Sequence, residues 1–134
     1  MPSVSVSFAN VPGTEAALGR AGGHTVMADR PEGKAGGMGL GFNGAQLLAP
    51  AIGCFCNDMR YISHRLGRLI AALSVEVTLK MEGGPLVATS AKMRVRCGME
   101  NASELVEEAR RGSRVAISLP RGIALTVTDG SPCL

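Results

Sequence analysis

The stretch that decides the fold is residues 43–66, NGAQLLAPAIGCFCNDMRYISHRL. Its larger apolar residues recur every three or four positions, which is the period of one helix face. They are Leu48, Ile52, Phe55, Met59, Ile62 and Leu66. Asn43 and Gln46 stand three residues apart, as in a capping box, and mark the start of the helix. The stretch therefore predicts one apolar helix of about six turns that stops at Gly67.

Pro50 lies inside this stripe, where it removes a backbone hydrogen bond and clashes with the preceding turn. We therefore expect a kink at Pro50, or two helices that meet near residues 50–53. Cys54 stands one position before Phe55, about 100° from the centre of the stripe, and so at the margin of the buried face. Asp58, Tyr61 and Arg65 follow on the same flank.

The segments around the helix read as short strands and a second helix. Residues 71–81 and 86–97 each alternate apolar with polar side chains, which indicates an antiparallel hairpin with one buried face. The other predicted elements are strands at 3–9, 14–18, 24–28 and 123–128, a glycine-rich loop at 29–41, and a helix at 102–111 capped by Asn101. This order predicts an α+β fold, with a curved antiparallel sheet and helices on one of its faces.

Size and composition limit the possible classes of protein. The 134 residues predict a single domain, 1–134, and 46% hydrophobic with 19% charged residues is ordinary for a globular protein. A net charge of +3 and 3% aromatic residues do not favour a nucleic-acid partner. No run approaches the ~18 apolar residues of a membrane span, and the first residues do not resemble a signal peptide. We therefore expect a cytoplasmic protein that does not bind a membrane.

The cysteines are the candidates for chemistry. There are four, at positions 54, 56, 97 and 133, in a spacing that matches no common zinc site, so we expect neither metal nor cofactor. Without a secretory signal they should be reduced thiols. Cys54 is the candidate nucleophile, although a packing role is also open because free cysteines are often buried. Cys56 lies about 200° from Cys54 around the helix, so the two cannot pair within an intact helix, and we interpret Cys56 as a core residue.

Residues 24–67, HTVMADRPEGKAGGMGLGFNGAQLLAPAIGCFCNDMRYISHRLG, resemble the centre of the OsmC/Ohr superfamily. Those proteins show a short strand, an Asp-x-Pro turn, a Gly-Gly loop, and a helix start followed by a cysteine within the helix. Residues 103–128, SELVEEARRGSRVAISLPRGIALTVT, are similar to the last helix and strand of the same proteins. The chain thus resembles a divergent OsmC-like protein.

The resemblance implies curved antiparallel sheets packed on a long central helix and an intertwined homodimer with active sites at the interface. It also implies a thiol peroxidase for organic hydroperoxides that an external thiol restores. Cys54 falls on the attacking cysteine, and Arg20 falls on the arginine that stabilises the thiolate. Ala45 stands where the family has a glutamate that holds this arginine, and Ser113 falls on or near the second, resolving cysteine.

These departures leave three functions open. The first is a one-cysteine thiol peroxidase or redox sensor that uses Cys54 with support from Arg20, in which Cys56 is a possible secondary thiol. The second is a non-catalytic OsmC-like protein that binds a small hydrophobic molecule at the dimer interface. The third is a homodimer that acts only as a partner subunit.

Overall fold

The computed structural model describes residues 2–127. Its elements are β1 (Ser7–Asn10), β2 (Ala17–Ala21), β3 (His24–Ala28), α1 (Gly44–Gly53), α2 (Phe55–Leu66), β4 (Leu73–Glu82), β5 (Val87–Cys97), α3 (Ala102–Gly112) and α4 (Arg114–Arg121). Of the described residues, 2–53 and 76–94 form one compact unit, and 54–75 with 95–127 form a second. The α+β class is confirmed, and the single domain stays a prediction.

The first unit contains an antiparallel sheet in the order β1-β2-β3. The predicted strand at 24–28 is confirmed, and Gly22-Gly23 turns the chain between the paired residues Ala21 and His24. The predictions for β1 and β2 were displaced by several residues along the chain. The reason is a side-chain-built turn: the Asn10 amide donates to the carbonyls of Thr14 and Ala16 at 2.8 and 3.0 Å. These bonds hold residues 11–16 in a turn, so β2 begins only at Ala17.

The predicted loop at 29–41 is organised by one carboxylate. Asp29 is buried and accepts hydrogen bonds from the backbone N–H groups of Arg30, Met38 and Leu40, at 2.8, 3.1 and 2.9 Å. These hydrogen bonds lower the pKa of Asp29, because N–H donors favour the charged carboxylate, and the bond from Leu40 has the largest effect. Both ends of the glycine-rich loop are therefore tied to the residue that follows β3.

The central apolar stretch begins as predicted and then divides. The Asn43 side chain accepts from the Gln46 N–H at 2.9 Å, and the Gln46 side chain accepts from the Asn43 N–H at 3.1 Å, which confirms the capping box. The single helix was wrong: α1 ends at Gly53 and α2 starts at Phe55, with Cys54 between them. Of the two predicted forms, the pair of helices is the observed one, since Pro50 and Gly53 weaken the backbone before the break.

The hairpin β4-β5 is a separate two-stranded sheet, so the chain has two antiparallel sheets in its described part. Its predicted alternation is confirmed along β4 and over residues 93–97 of β5, whereas residues 87–92 are exposed throughout. Val75, Val77 and Leu79 are half-buried, while the intervening residues of β4 are exposed. On β5 the half-buried residues are Met93, Val95 and Cys97.

The core of the second unit is the contact between α2 and α3. Phe55 and Met59 from α2 and Leu105 and Ala109 from α3 are at most 1% exposed. Burying each larger side chain contributes about 1.5–3 kcal/mol to the free energy of unfolding. Gly67 ends α2 with φ 65°, in the left-handed conformation that the sequence predicts for it.

The C-terminal region departs most from prediction. Helix α3 begins after Asn101, but the Asn101 side chain makes no capping bond, because the residue adopts φ 54°. The predicted strand at 123–128 was wrong for residues 123–127, which belong to no strand, and Thr128 lies outside the described residues. Helix α4 precedes them, and Pro120 and Gly122 mark its end. Ile123, Leu125 and Val127 are 74–86% exposed.

Candidate functional site

Cys54 occupies the turn between α1 and α2 rather than the interior of a helix. Its carbonyl accepts hydrogen bonds from the N–H groups of Asn57 at 2.8 Å and Asp58 at 3.4 Å, which makes it the residue that caps α2. Its side chain makes no capping bond, and the residue is exposed. The break in the helix therefore presents this thiol at the surface, where sequence periodicity placed it at the margin of the core.

The surroundings of Cys54 disfavour its thiolate. Partial shielding of the sulfur from water raises the pKa of Cys54, although the residue as a whole is exposed, and the charge of Asp58 raises it further. A position before a helix favours a thiolate in general, but the Asp58 carboxylate in the first turn opposes that effect. Helical spacing predicts that Asp58 lies on this flank, and its place four residues after Cys54 is the signal for its effect on the thiol.

Replacement of Asp58 by asparagine is expected to speed alkylation of Cys54 several-fold at pH 7.5. The change removes a negative charge that raises the thiol pKa, so a larger fraction is thiolate at neutral pH. The reaction of each protein with iodoacetamide should be followed from pH 7 to pH 11. The two rates should converge at the highest pH, where both thiols are ionised, and an equal rate at pH 7.5 would contradict this role for Asp58.

The other cysteines are less accessible. Cys56 in α2 and Cys97 in β5 are both half-buried, and Cys133 lies outside the described residues. On the predicted flank of α2, Tyr61 is exposed, and the Arg65 guanidinium lies 3.8 Å from the carboxylate of Glu108 on α3. The positive charge of Arg65 is thus directed towards α3.

Arg20 lies on β2 in the first unit, whereas Cys54 belongs to the second. It is exposed and stands between Ser7 of β1 and Thr25 of β3 in the sheet register. Among residues 2–127, no carboxylate lies within ion-pair distance of its guanidinium. Support of Cys54 by Arg20 stays a prediction.

Ser113, at the position of the expected resolving cysteine, has a structural role. It is 1% exposed, and its hydroxyl accepts from the Ala116 N–H at 3.2 Å, which caps α4. Ala45 lies half-buried in α1 and supplies no carboxylate. Both departures from the family pattern are therefore accommodated within ordinary helical structure.

Replacement of Ser113 by alanine is expected to lower the free energy of unfolding by about 0.5–2 kcal/mol, because α4 loses its capping acceptor. Urea denaturation followed by circular dichroism measures the change. Ser113→Thr keeps the hydroxyl and should lose less. Equal stability of the alanine variant and the parent protein would show that this cap does not stabilise the fold.

The described part of the chain contains neither a candidate metal site nor a candidate membrane-spanning helix. No group of three or more His, Cys, Asp or Glu side chains within residues 2–127 is placed to hold a metal ion. Over the same residues, none of the helices combines the length and the apolar character that crossing a bilayer requires.

Solved structures of OsmC-like proteins share this fold. An OsmC-like protein from Mycoplasma pneumoniae matches with a TM-score of 0.71 and 12% identity, over 89% of this chain and 88% of that chain. An OsmC-like protein of unknown function from Vibrio cholerae matches with a TM-score of 0.70 and 10% identity, over 87% and 93%. An organic hydroperoxide resistance protein, OsmC, from Legionella pneumophila matches with a TM-score of 0.62 and 14% identity, over 87% and 88%.

The chain thus has the OsmC-like fold that its sequence resemblance predicts. No protein-family model matches the sequence, and no curated protein matches it. These structures share the backbone fold of this chain but few of its side chains. The role of each side chain therefore depends on its own surroundings.

Proposed function

We propose that the protein is a thiol-dependent reductase of organic hydroperoxides that reacts through Cys54. The observation that carries the proposal is the exposure of Cys54 at the helix break, whereas Cys56 and Cys97 are half-buried. An accessible thiol is required because the peroxide must reach the sulfur in line with its O–O bond. The name of the structurally similar Legionella protein, an organic hydroperoxide resistance protein, supports the choice of substrate.

The reaction balances without a metal or an organic cofactor. The Cys54 thiolate attacks the terminal peroxide oxygen, an S–O bond forms as the O–O bond breaks, and the released alkoxide takes a proton from water, so that the products are a cysteine sulfenic acid and an alcohol. An external thiol then attacks the sulfenic sulfur and releases water, leaving a mixed disulfide. A second external thiol restores Cys54 and leaves as the external disulfide.

The thiolate needs a source of positive charge, because the surroundings of Cys54 raise its pKa. Arg20 is the candidate: it is exposed, and among the described residues no carboxylate neutralises it. We include in the proposal a homodimer, so that the supporting arginine is the Arg20 of either chain. Arg20→Gln should then slow the peroxide reaction, while Arg114→Gln, an exposed arginine on α4, should leave it unchanged.

The direct test is to trap the sulfenic acid. The protein is mixed with cumene hydroperoxide and dimedone, digested with trypsin, and analysed by mass spectrometry. The proposal requires the adduct in the peptide that spans residues 35–60 and not in the peptide 97–110, which holds Cys97. A Cys56→Ser protein removes the ambiguity between the two cysteines of the first peptide. Absence of any Cys54 adduct in that variant would refute the proposed chemistry.

A second candidate is the binding of a small apolar molecule without catalysis, and a groove in the first unit favours it. This groove of about 600 Å³ lies beside β3, and its walls include Leu40 and Phe42, which are 48% and 49% exposed. Exposed apolar side chains that line a groove are typical of a ligand site. An apolar ligand should raise the melting temperature of the parent protein and not that of Leu40→Ser. No rise with a broad set of apolar ligands would exclude this function.

A further inference from the structure

We infer that the outer edge of β3 at Thr25 binds a short extended peptide in which an acidic residue stands between two apolar residues. The peptide backbone pairs with Thr25, its acidic side chain bonds to Arg20, and its apolar side chains enter the groove beside Leu40 and Phe42. The inference rests on the second candidate function, a groove that holds an apolar ligand, and it names the class of that ligand.

The hydrogen-bond pattern of the sheet leaves the Thr25 backbone open to a ligand. In an antiparallel ladder, alternate residues point their N–H and C=O groups away from the neighbouring strand. At the outer edge of β3, the Phe42 N–H donates to the Met27 carbonyl at 3.2 Å, and the Asp29 N–H donates to the Phe42 carbonyl at 2.9 Å. Thr25 has the same phase as Met27 and Asp29, and within residues 2–127 no backbone partner pairs with it on that edge.

The open part of this edge is short. The Gly22-Gly23 turn ends it on one side, and the bridge between Ala28 and Phe42 closes it on the other. About one residue of a ligand therefore makes both hydrogen bonds with β3, whereas a typical strand has about 5–6 residues. A free N–H and C=O at a sheet edge are a template for an added backbone, and this length fits a short peptide rather than a whole strand of a second copy.

The groove at this edge has room for the side chains next to the paired residue. It encloses about 600 Å³, and its walls include Thr25 and Val26 of β3 with Leu40 and Phe42 of the loop. Successive side chains of a strand point to opposite faces, so the two neighbours of the paired residue share the face of Val26. Phe42 is bridged to Ala28, which lies on that same face. Apolar neighbours are therefore the ones that this groove accepts.

The wall of the groove is fixed before a ligand arrives. The Leu40 N–H donates to the buried carboxylate of Asp29 at 2.9 Å, and Phe42 makes its two bonds to β3. A Cβ atom at Gly41 would overlap the Met27 carbonyl, so the loop runs against β3 at a point where only glycine fits. A wall held in this way lowers the conformational cost of binding.

Arg20 supplies the charge that selects an acidic residue. It stands opposite Thr25 in the sheet register, on the same face, in a pair whose Cα atoms are about 4.5 Å apart. A ligand strand lies about 4.8 Å beyond β3, so an acidic side chain opposite Thr25 faces Arg20 across the small threonine. Arg20 is exposed, and in the described chain no carboxylate lies within ion-pair distance of its guanidinium. A carboxylate on the ligand is its natural partner.

The test measures the binding of the peptide Gly-Leu-Glu-Leu-Gly, amidated and labelled with fluorescein at its N-terminus, by fluorescence anisotropy. The protein carries Cys54→Ser, so no thiol chemistry contributes. Exchange of Glu for Lys in the peptide should weaken binding about tenfold or more, and methylation of the Glu amide nitrogen should do the same. Arg20→Gln should weaken the Glu peptide several-fold and leave a Gln peptide unchanged, while the control Arg114→Gln should change neither.

Hydrogen exchange locates the contact, because the Thr25 amide should become protected when the peptide is added. Equal affinity for the Glu and Lys peptides, no effect of the methylated amide, or no binding would overturn the inference. Protection of Thr25 that rises with protein concentration alone would assign the edge to a second copy and would also overturn it. Stabilisation by apolar ligands without peptide binding would leave the second candidate function standing and refute the peptide. Peptide binding without cumene hydroperoxide consumption by the parent protein would separate this site from the thiol chemistry and support it alone.

Discussion

Replacement of Cys54 by serine is expected to lower hydroperoxide consumption by roughly a hundredfold or more, to the level of buffer and reductant alone. A serine hydroxyl is not ionised at neutral pH and cannot form a sulfenic acid, so the covalent step is lost. The measurement is the disappearance of cumene hydroperoxide with dithiothreitol as the reductant. Because Cys54 is exposed, its replacement should leave the melting temperature nearly unchanged.

Cys97→Ser is the matched control for this experiment. Cys97 is half-buried on β5, and its replacement should keep the full peroxide reaction. If Cys97→Ser lost activity and Cys54→Ser retained it, the reactive thiol would be Cys97 on β5. Equal activity in both single variants and the parent protein would eliminate a thiol mechanism at either position.

Leu105→Ala is expected to lower the free energy of unfolding by about 2–5 kcal/mol, since it removes a fully buried side chain and leaves a cavity. Leu105 lies on α3, the helix that packs on α2, so the loss affects the core that holds the helix after Cys54. Urea denaturation followed by circular dichroism measures it. Losses of this size are a large part of the stability of a typical domain.

The matched control for Leu105 is the same substitution at Leu69, which is 91% exposed. Leu69→Ala should change the free energy of unfolding by no more than about 0.5 kcal/mol. If the two variants were equally stable, the contact between α2 and α3 would not be the core of the second unit.

Much of the fold could be predicted because its signals are local. The capping box of Asn43 and Gln46, the stop at Gly67 and the alternation in β4 and β5 depend on residues a few positions apart. The order of these elements, with a cysteine in the central stretch, was enough to predict the OsmC-like fold, which structural comparison confirms. Side-chain identity mattered less than spacing, since the three structures compared above are only 10–14% identical to this chain.

Predictions were wrong or missing where the deciding interaction is not visible in the spacing of residues. Residues 123–127 alternate like a strand, but a strand needs a partner, and in the structure these residues have none within the described chain. No element was predicted for residues 113–121, yet Ser113 caps a helix there. Asn10 and Thr14 have ordinary turn propensity, and only their hydrogen bonds, from the Asn10 amide to the Thr14 carbonyl and from the Thr14 hydroxyl to the Val11 carbonyl, show where β2 must begin.

By itself, the sequence determined the class of fold, the place of the central apolar helical stretch and the cysteine that merits attention, because periodicity and capping act between neighbours along the chain. Only the tertiary structure decided that Cys54 lies in a break between two helices, exposed and beside Asp58, with its pKa raised. The accessibility and the pKa of a thiol depend on every group packed around it, and those groups are set by folding rather than by spacing.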